Sequence, residues 1–460
     1  MLRGMLATVL VASGLLIPSA TTAADDRPNV VFIVTDDQRW DTLWAMPTVQ
    51  SELVGKGMNF SNGFVVNASC CPSRTSMLTG EYSHSTGVYT NNDDTFGGFP
   101  AFNDESTLAT WLDDAGYETA LFGKYLNRYS DPSYVPPGWD HWTAQMGGPY
   151  YGYRLTDGLG GTTEYGSDES DYATDVLADR ADQFIRDVEP GDPLFLWFAP
   201  PAPHWPADPA PRHIGTFADL EEWRPPSYNE RDVSDKPRYI QRLSRLNWLE
   251  RSELDGLRVL QYQTLLSADE AVGQLLAALE DSGRLNNTIV IYVSDNGLHW
   301  GEHSWNALKR LPYEESIRIP YVVRYDPVTA GSATVEERLV ANIDLAPTVA
   351  ELAGLEAPGA EGESLVPLLD QSASEWRGDF LVEHMGTNKP PSYCAVRSEG
   401  ALYVRYADGA QEYYRLAVDP YEERNVAGRE RFGLDVRAMK DRAKELCDPT
   451  PPLFSWRTSR

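Results

Sequence analysis

Asn29-Val-Val-Phe-Ile-Val-Thr-Asp-Asp37 opens as an unbroken β-branched and aromatic run and ends in two carboxylates. It lacks the polar-apolar alternation of a sheet with one wet face. A strand buried on both faces reads this way, and such strands belong to parallel sheets covered by helices. Similar runs recur at Thr119–Phe122, Leu194–Phe198, Thr288–Val293 and Ile319–Tyr325. Between them lie helical periods. Ala173, Val176, Leu177, Ala181, Phe184, Ile185 and Val188 mark one face; Leu265, Ala268, Val272, Leu275, Leu276 and Leu279 mark another, which Gly283 closes. The alternation predicts an α/β fold, with a large, mostly parallel sheet flanked by helices.

The rest of the chain is organised around that unit. Residues 1–24 read as a secretory signal: Arg3, an apolar run from Met5 to Ile17, then small residues through Ala24. No other stretch is long and apolar enough to span a membrane, so no stable membrane insertion and a secreted or periplasmic location are expected. A catalytic domain is assigned to 25–376. From Arg377 short strand candidates replace the α/β pattern, at Phe380–Glu383, Tyr393–Arg397, Ala401–Tyr406 and Glu412–Leu416, with a closing helix over Phe432–Leu446. Residues 377–460 are therefore expected to form a smaller α+β subdomain built on an antiparallel sheet. Cys394 and Cys447 both fall there, and export makes them available to pair as a disulfide. The connection Asn127–Ser170, rich in Gly, Pro and aromatic residues, reads as a long loop. Its rings either stack on sugar faces or simply pack the loop.

Across 460 residues, 42% hydrophobic and 23% charged, 39 Lys+Arg stand against 68 Asp+Glu, a net charge of −29. Such a surface repels polyanions and argues against nucleic-acid binding. Four cysteines cannot make a disulfide scaffold, so the fold must rest on an apolar core.

The chemistry concentrates in Cys70-Cys-Pro-Ser-Arg-Thr-Ser-Met-Leu-Thr-Gly80. A thiol at a helix start, with an arginine one turn on, is a setting that stabilises negative charge. On the residues alone, Cys70 is a nucleophile, a buried thiol or half of a vicinal disulfide with Cys71. Asp36-Asp37 and Ser294-Asp-Asn-Gly297 each follow a buried strand, and in parallel α/β sheets sites form at the carboxyl ends of strands. Asp36, Asp37, Asp295 and Asn296 offer only oxygen, which suits a hard cation rather than zinc or copper.

Cys70, Pro72, Arg74, Leu78, Thr79 and Gly80 resemble the signature of the type I sulfatases. That resemblance implies an alkaline-phosphatase-like fold and conversion of Cys70 to formylglycine (3-oxoalanine) by a formylglycine-generating enzyme. It also implies a calcium ion, with magnesium as the alternative, on Asp36, Asp37, Asp295, Asn296 and residue 70. Lys124 and Lys309 match the family's sulfate-binding lysines, and His204 matches the histidine that protonates the leaving alcohol. In the family's chemistry one hydroxyl of the aldehyde hydrate attacks sulfur and the other expels sulfate, a release that serine could not perform. This chain departs from many sulfatases in carrying Leu126 where they have a histidine, so His84 or His299 is put forward as the base for release. His141, His213, His303 and His384 read as surface or loop histidines.

The run 70–92, with Phe122–Asn127, Pro136–Asp140 and Val340–Thr348, is similar to N-acetylglucosamine-6-sulfatases, which implies a sulfated carbohydrate of the glycosaminoglycan type as substrate. The acidic surface favours chain ends or short fragments over lengthwise binding of a polymer. A phosphate or phosphonate monoester hydrolase of the same superfamily and a non-enzymatic glycan-binding protein are the alternatives.

Overall fold

A computed structural model of the chain describes residues 27–329, 333–387 and 389–457; the signal expected at 1–24 lies outside them. Ten strands form one sheet, in the spatial order Thr334–Glu336, Met58–Phe60, Tyr321–Arg324, Thr288–Ser294, Asn29–Thr35, Leu194–Ala199, Glu118–Gly123, His141–Gly147, Tyr153–Thr156 and Thr162–Glu164. The five strands from Thr288–Ser294 to His141–Gly147 run parallel. Every residue of Asn29–Thr35 is buried. Val30, Phe32 and Val34 enter the core on one face, and Val31 and Ile33 enter the core on the other. That double burial is the reason the run does not alternate.

Helices cover both faces. Ala173–Asp187 and Trp248–Asp281 pack Leu177, Phe184, Leu265 and Val272 against the Val31 side. Cys70–Thr79 and Leu345–Leu352 pack Met77, Leu78, Leu345 and Val349 against the Val30 side. The 34-residue helix is capped at its start: the Asn247 side chain accepts from the Leu249 and Glu250 amides, and Glu250 accepts from the Asn247 amide in return.

Two regions differ from expectation. Tyr321–Arg324 runs antiparallel to Thr288–Ser294. The chain leaves the latter at its carboxyl end, spends residues 295–320 at that end, and re-enters the sheet from there, so no crossover helix reverses it. The connection expected as a loop extends the sheet instead, through His141–Gly147, Tyr153–Thr156 and Thr162–Glu164. Of its aromatics, Trp139, Trp142, Tyr150 and Tyr153 are buried as packing, Tyr129 is buried at the wall of a cleft, Tyr151 is half-buried and Tyr134 is exposed.

The C-terminal segment forms a separate four-stranded antiparallel sheet, Asp379–His384, Tyr393–Ser398, Ala401–Tyr406 and Gln411–Arg415, in sequence order. One face joins the main core through Phe380, Val382, Leu402 and Val404; the other packs under the helix Gly433–Leu446. A Cys394–Cys447 disulfide ties the second strand to the end of that helix.

Candidate active site

The register of the two central strands brings the acidic residues together. Thr35 pairs with Ser294, so Asp36-Asp37 and Asp295-Asn296 leave the sheet side by side. The Asp37 amide donates to Asp295 Oδ1 at 3.2 Å. Asp37 itself sits at φ 67°, a left-handed conformation that turns its carboxylate back over the strand ends. Gly297 follows because a Cβ there would lie 2.2 Å from the Glu315 carbonyl.

Cys70 is the first residue of its helix. Asn91 Oδ1 accepts from the Cys71 amide at 2.9 Å and from the Ser69 hydroxyl at 3.0 Å, which caps the helix start, and Gly80 at φ 75° ends it. Arg74, one turn on, shares the Cys70 face. Its Nε donates to Asp295 Oδ2 and its Nη1 to the Lys124 carbonyl, both at 2.8 Å, while Nη2 is a buried donor with no partner among the described residues. Gly123 lets Lys124 approach: its Cβ would meet the Ala199 carbonyl at 2.1 Å. Lys124 Nζ donates to Asp36 Oδ2, and Lys309 Nζ donates to Asp37 Oδ1 and, at 2.9 Å, to Cys70 Sγ. Cys70 Sγ lies 3.6 Å from Asp36 Oδ1.

Three carboxylates thus face three permanent cations in a buried setting. Burial pushes the Asp36 carboxyl up, but Lys124 and its other cationic neighbours outweigh it and hold Asp36 well below the usual carboxylate range. Burial and the Asp36 charge raise Asp295 instead. Burial opposes charge on Lys309 and Lys124 too, yet Asp37 and Asp36 respectively keep both above the ordinary lysine value. Burial, with Asp295 adding to it, pushes the Cys70 thiol up to about 11. A thiol so held stays protonated at neutral pH and is a poor nucleophile as it stands.

The donor set suits a hard divalent cation. One ligand atom each from Asp36, Asp37, Asp295 and Cys70 lies within 4.8 Å of the others. Asn296 donates through Nδ2 to Asp37 Oδ1 at 2.6 Å, while its Oδ1 is buried with no partner among the described residues. An orphaned amide oxygen beside three carboxylates is what an oxygen-seeking ion would satisfy.

His204 stands at the mouth, its side chain 35% exposed, with Nε2 3.8 Å from Asp37 Oδ2. Its Nδ1 lies 2.6 Å from the Trp205 carbonyl, which can only accept, so Nδ1 carries a proton and Nε2 is the nitrogen turned to the site. The Tyr150 hydroxyl donates to the His204 carbonyl at 2.8 Å and holds the loop. Beyond Lys124 and His204 opens a cleft of about 500 Å³ lined by Leu126, Gln145, Arg154 and Trp205 among others. Gln145 and Arg154 escaped sequence reasoning, since they lie on short strands with no motif around them.

His84 and His299 are not brought into this cluster. His84 is clamped between Glu383 and Glu361, at 3.1 and 3.4 Å, and those carboxylates lift it to about 10 against the cost of burial. His299 is fully buried, its Nδ1 3.1 Å from the Ser316 hydroxyl, and burial drives it well below the ordinary imidazole value. His84 is satisfied by carboxylates remote in sequence, whereas His299 keeps a buried Nε2 with no partner among the described residues.

Residues 28–355 match the family model described as Sulfatase. The chain belongs to the sulfatase family. Residues 301–448 also match the model for the C-terminal part of N-sulphoglucosamine sulphohydrolase. The sulfatase is 35% identical to the N-acetylglucosamine-6-sulfatase of Homo sapiens over 469 residues, covering 91% of this chain and 84% of the relative. It is 30% identical to the N-acetylglucosamine-6-O-sulfatase of Bacteroides thetaiotaomicron, covering 91% and 86%. It spans only 54% of a putative extracellular sulfatase Sulf-1 homologue of Caenorhabditis elegans and 34% of the Drosophila melanogaster one. Among solved structures, BT4656 in complex with its substrate D-glucosamine-2-N,6-O-disulfate superposes with a TM-score of 0.80 at 25% identity, covering 93% of this chain and 99% of that one. The phosphonate monoester hydrolase of Agrobacterium radiobacter, at 20% identity and a TM-score of 0.70, shares the fold.

Proposed function

We propose that this sulfatase is an exported sulfuric ester hydrolase that removes sulfate from a sulfated amino sugar of the glycosaminoglycan type. In this reading Cys70 is matured to formylglycine by a formylglycine-generating enzyme, and Asp36, Asp37, Asp295 and Asn296 hold calcium, or magnesium in its place. One observation carries it: Cys70, three buried aspartates and three cations converge at the carboxyl ends of the central strands. The relatives named for N-acetylglucosamine-6-sulfate hydrolysis support the substrate class, and the extracellular relatives and the disulfide support export.

The divalent cation supplies Lewis-acid stabilisation of negative oxygen, and with it the cluster of three carboxylates and three cations gains two positive charges. Formylglycine supplies an aldehyde hydrate, whose paired hydroxyls allow both capture and release of the sulfuryl group. The chain's own residues do the rest. Arg74 Nη2, Lys124 and Lys309 surround the sulfuryl oxygens with fixed donors, the largest rate term in such sites. His204 Nε2, once protonated, gives its proton to the departing sugar oxygen. The open cleft beyond Lys124 takes the sugar, and the acidic surface restricts it to chain ends and short fragments.

The test is mass spectrometry of the peptide carrying residue 70 from exported protein, beside sulfate release from N-acetylglucosamine 6-sulfate and turnover of paired aryl sulfate and aryl phosphate esters. An aldehyde at position 70 with preferential sulfate release is expected. An unmodified thiol in protein that still binds sugar, or faster phosphate release, would overturn the reading.

A further inference from the structure

A second buried cluster lies away from the cleft. One ligand atom each from His303, Glu315 and Glu422 lies within 4.8 Å of the others, and all three residues are buried. His303 Nε2, Glu315 Oε2 and Glu422 Oε1 each lack a hydrogen-bond partner among the described residues. So does His299 Nε2, which is fully buried and points at Glu315 Oε2 from 3.7 Å. Buried polar atoms are almost always satisfied, and three orphans grouped this closely, with a fourth beside Glu315, call for something between them.

The surroundings favour a cation over water. Arg39 is committed to Asp41 and Glu302, Lys236 to Glu230, and Arg397 to Glu314. Among the described residues no lysine or arginine forms an ion pair with Glu315 or Glu422, so Arg39 and Arg397 offset these two buried carboxyls only from a distance. The imidazole is already oriented as a ligand. Glu230 Oε2 accepts a hydrogen bond from His303 Nδ1 at 3.1 Å, which leaves the Nε2 lone pair facing the carboxyls, the arrangement by which carboxylates set metal-binding histidines.

We propose that His303, Glu315 and Glu422, with His299 as the fourth donor, form a structural zinc site separate from the hard-cation site at Asp36. Mixed imidazole and carboxylate donors suit zinc, and a fully buried group of three donors, with His299 3.7 Å from one of them to complete four, suits a structural site. An ion equidistant from three atoms at that spacing sits at most about 2.8 Å from each, so a closure of roughly 0.6 Å brings them to zinc bond lengths. The site has a purpose in the fold. His299 and His303 precede Lys309 in the chain and Glu315 follows it, while Glu422 comes from the C-terminal segment. The ion pins both ends of the stretch that carries Lys309 to Asp37 and Cys70.

The proposal stands whether or not Cys70 is matured, and the test separates the two. Full-length protein, expressed with zinc and dialysed against a weak chelator, is measured for metal content. About one zinc per chain is expected, dropping at least about tenfold in Glu422→Gln and His303→Gln and unchanged in Asp295→Asn. Cobalt loaded in place of zinc should give the intense visible absorption of a tetrahedral ion. Wild-type protein holding less than about 0.1 zinc and giving no such cobalt spectrum overturns the proposal in favour of a proton shared between Glu315 and Glu422. Zinc retained in full by Glu422→Gln, or lost only in Asp295→Asn, overturns it as well.

Discussion

Arg74→Lys keeps the charge at the centre of the candidate site and removes the shape. The guanidinium makes two directed bonds of 2.8 Å, to Asp295 and to the Lys124 carbonyl, and aims a third buried nitrogen with no partner among the described residues. An ammonium on a shorter reach keeps one of the two bonds. A charge-assisted bond is worth about 1.5–3 kcal/mol, so the folded state should lose about that much, a fall of a few degrees in Tm for a chain of this size. The larger effect falls on turnover. If Nη2 is the donor that meets the sulfuryl oxygens, its loss should cost about 10²–10³ in kcat, as for one donor of an oxyanion site. Matured protein of both forms would be assayed on N-acetylglucosamine 6-sulfate, with a thermal melt alongside to separate catalysis from folding. A variant that melts lower yet keeps kcat within about threefold of the parent refutes the assignment of Nη2 and leaves Arg74 a purely structural partner of Asp295.

Other expectations follow from the same geometry. His204→Gln should lower kcat by about 10²–10⁴ on a sugar sulfate and far less on an aryl sulfate whose leaving group needs no proton; equal losses on both would remove His204 from proton transfer. Cys447→Ser opens a bridge between residues 53 apart, for which chain entropy gives about 4 kcal/mol; denaturant unfolding under non-reducing conditions should register it, and an unchanged midpoint would rule it out. His84 is raised from 6.5 to about 10 on folding, so its stabilising contribution is complete below pH 6.5 and is lost as pH rises through about 10. His84→Gln lacks that contribution, so the stability gap between parent and variant should shrink between those limits, and a gap that stays flat would contradict it.

Much of this architecture is legible in the chain because it rests on local signals. The five buried runs read as strands because apolar residues fall on both faces without alternation, and the second half of the long helix reads from its Leu265–Leu279 period and Gly283. The convergence of Asp36 and Asp295 is legible from their places at strand ends, and Cys70 joins them through the resemblance its motif carries. The edge strands His141–Gly147 to Thr162–Glu164 are not, since short segments among Gly and Pro become strands only by pairing with a neighbour. Thr162–Glu164 is wholly exposed and carries no pattern at all. The fates of His84, His299 and His303 were equally hidden, because the carboxylates that face them come from up to 299 residues away.

Residue 70 is 1% exposed, at the first turn of a helix whose every side chain is buried. No second protein can grip this sulfur in the finished molecule without melting that helix from the sheet. Any enzymatic rewriting of it must therefore happen on the nascent or still extended polypeptide. The yield of competent molecules then becomes a race between that handling and the collapse of the core. Slowing the collapse, by cooler expression or a destabilised Leu78 contact, should raise the fraction that wins.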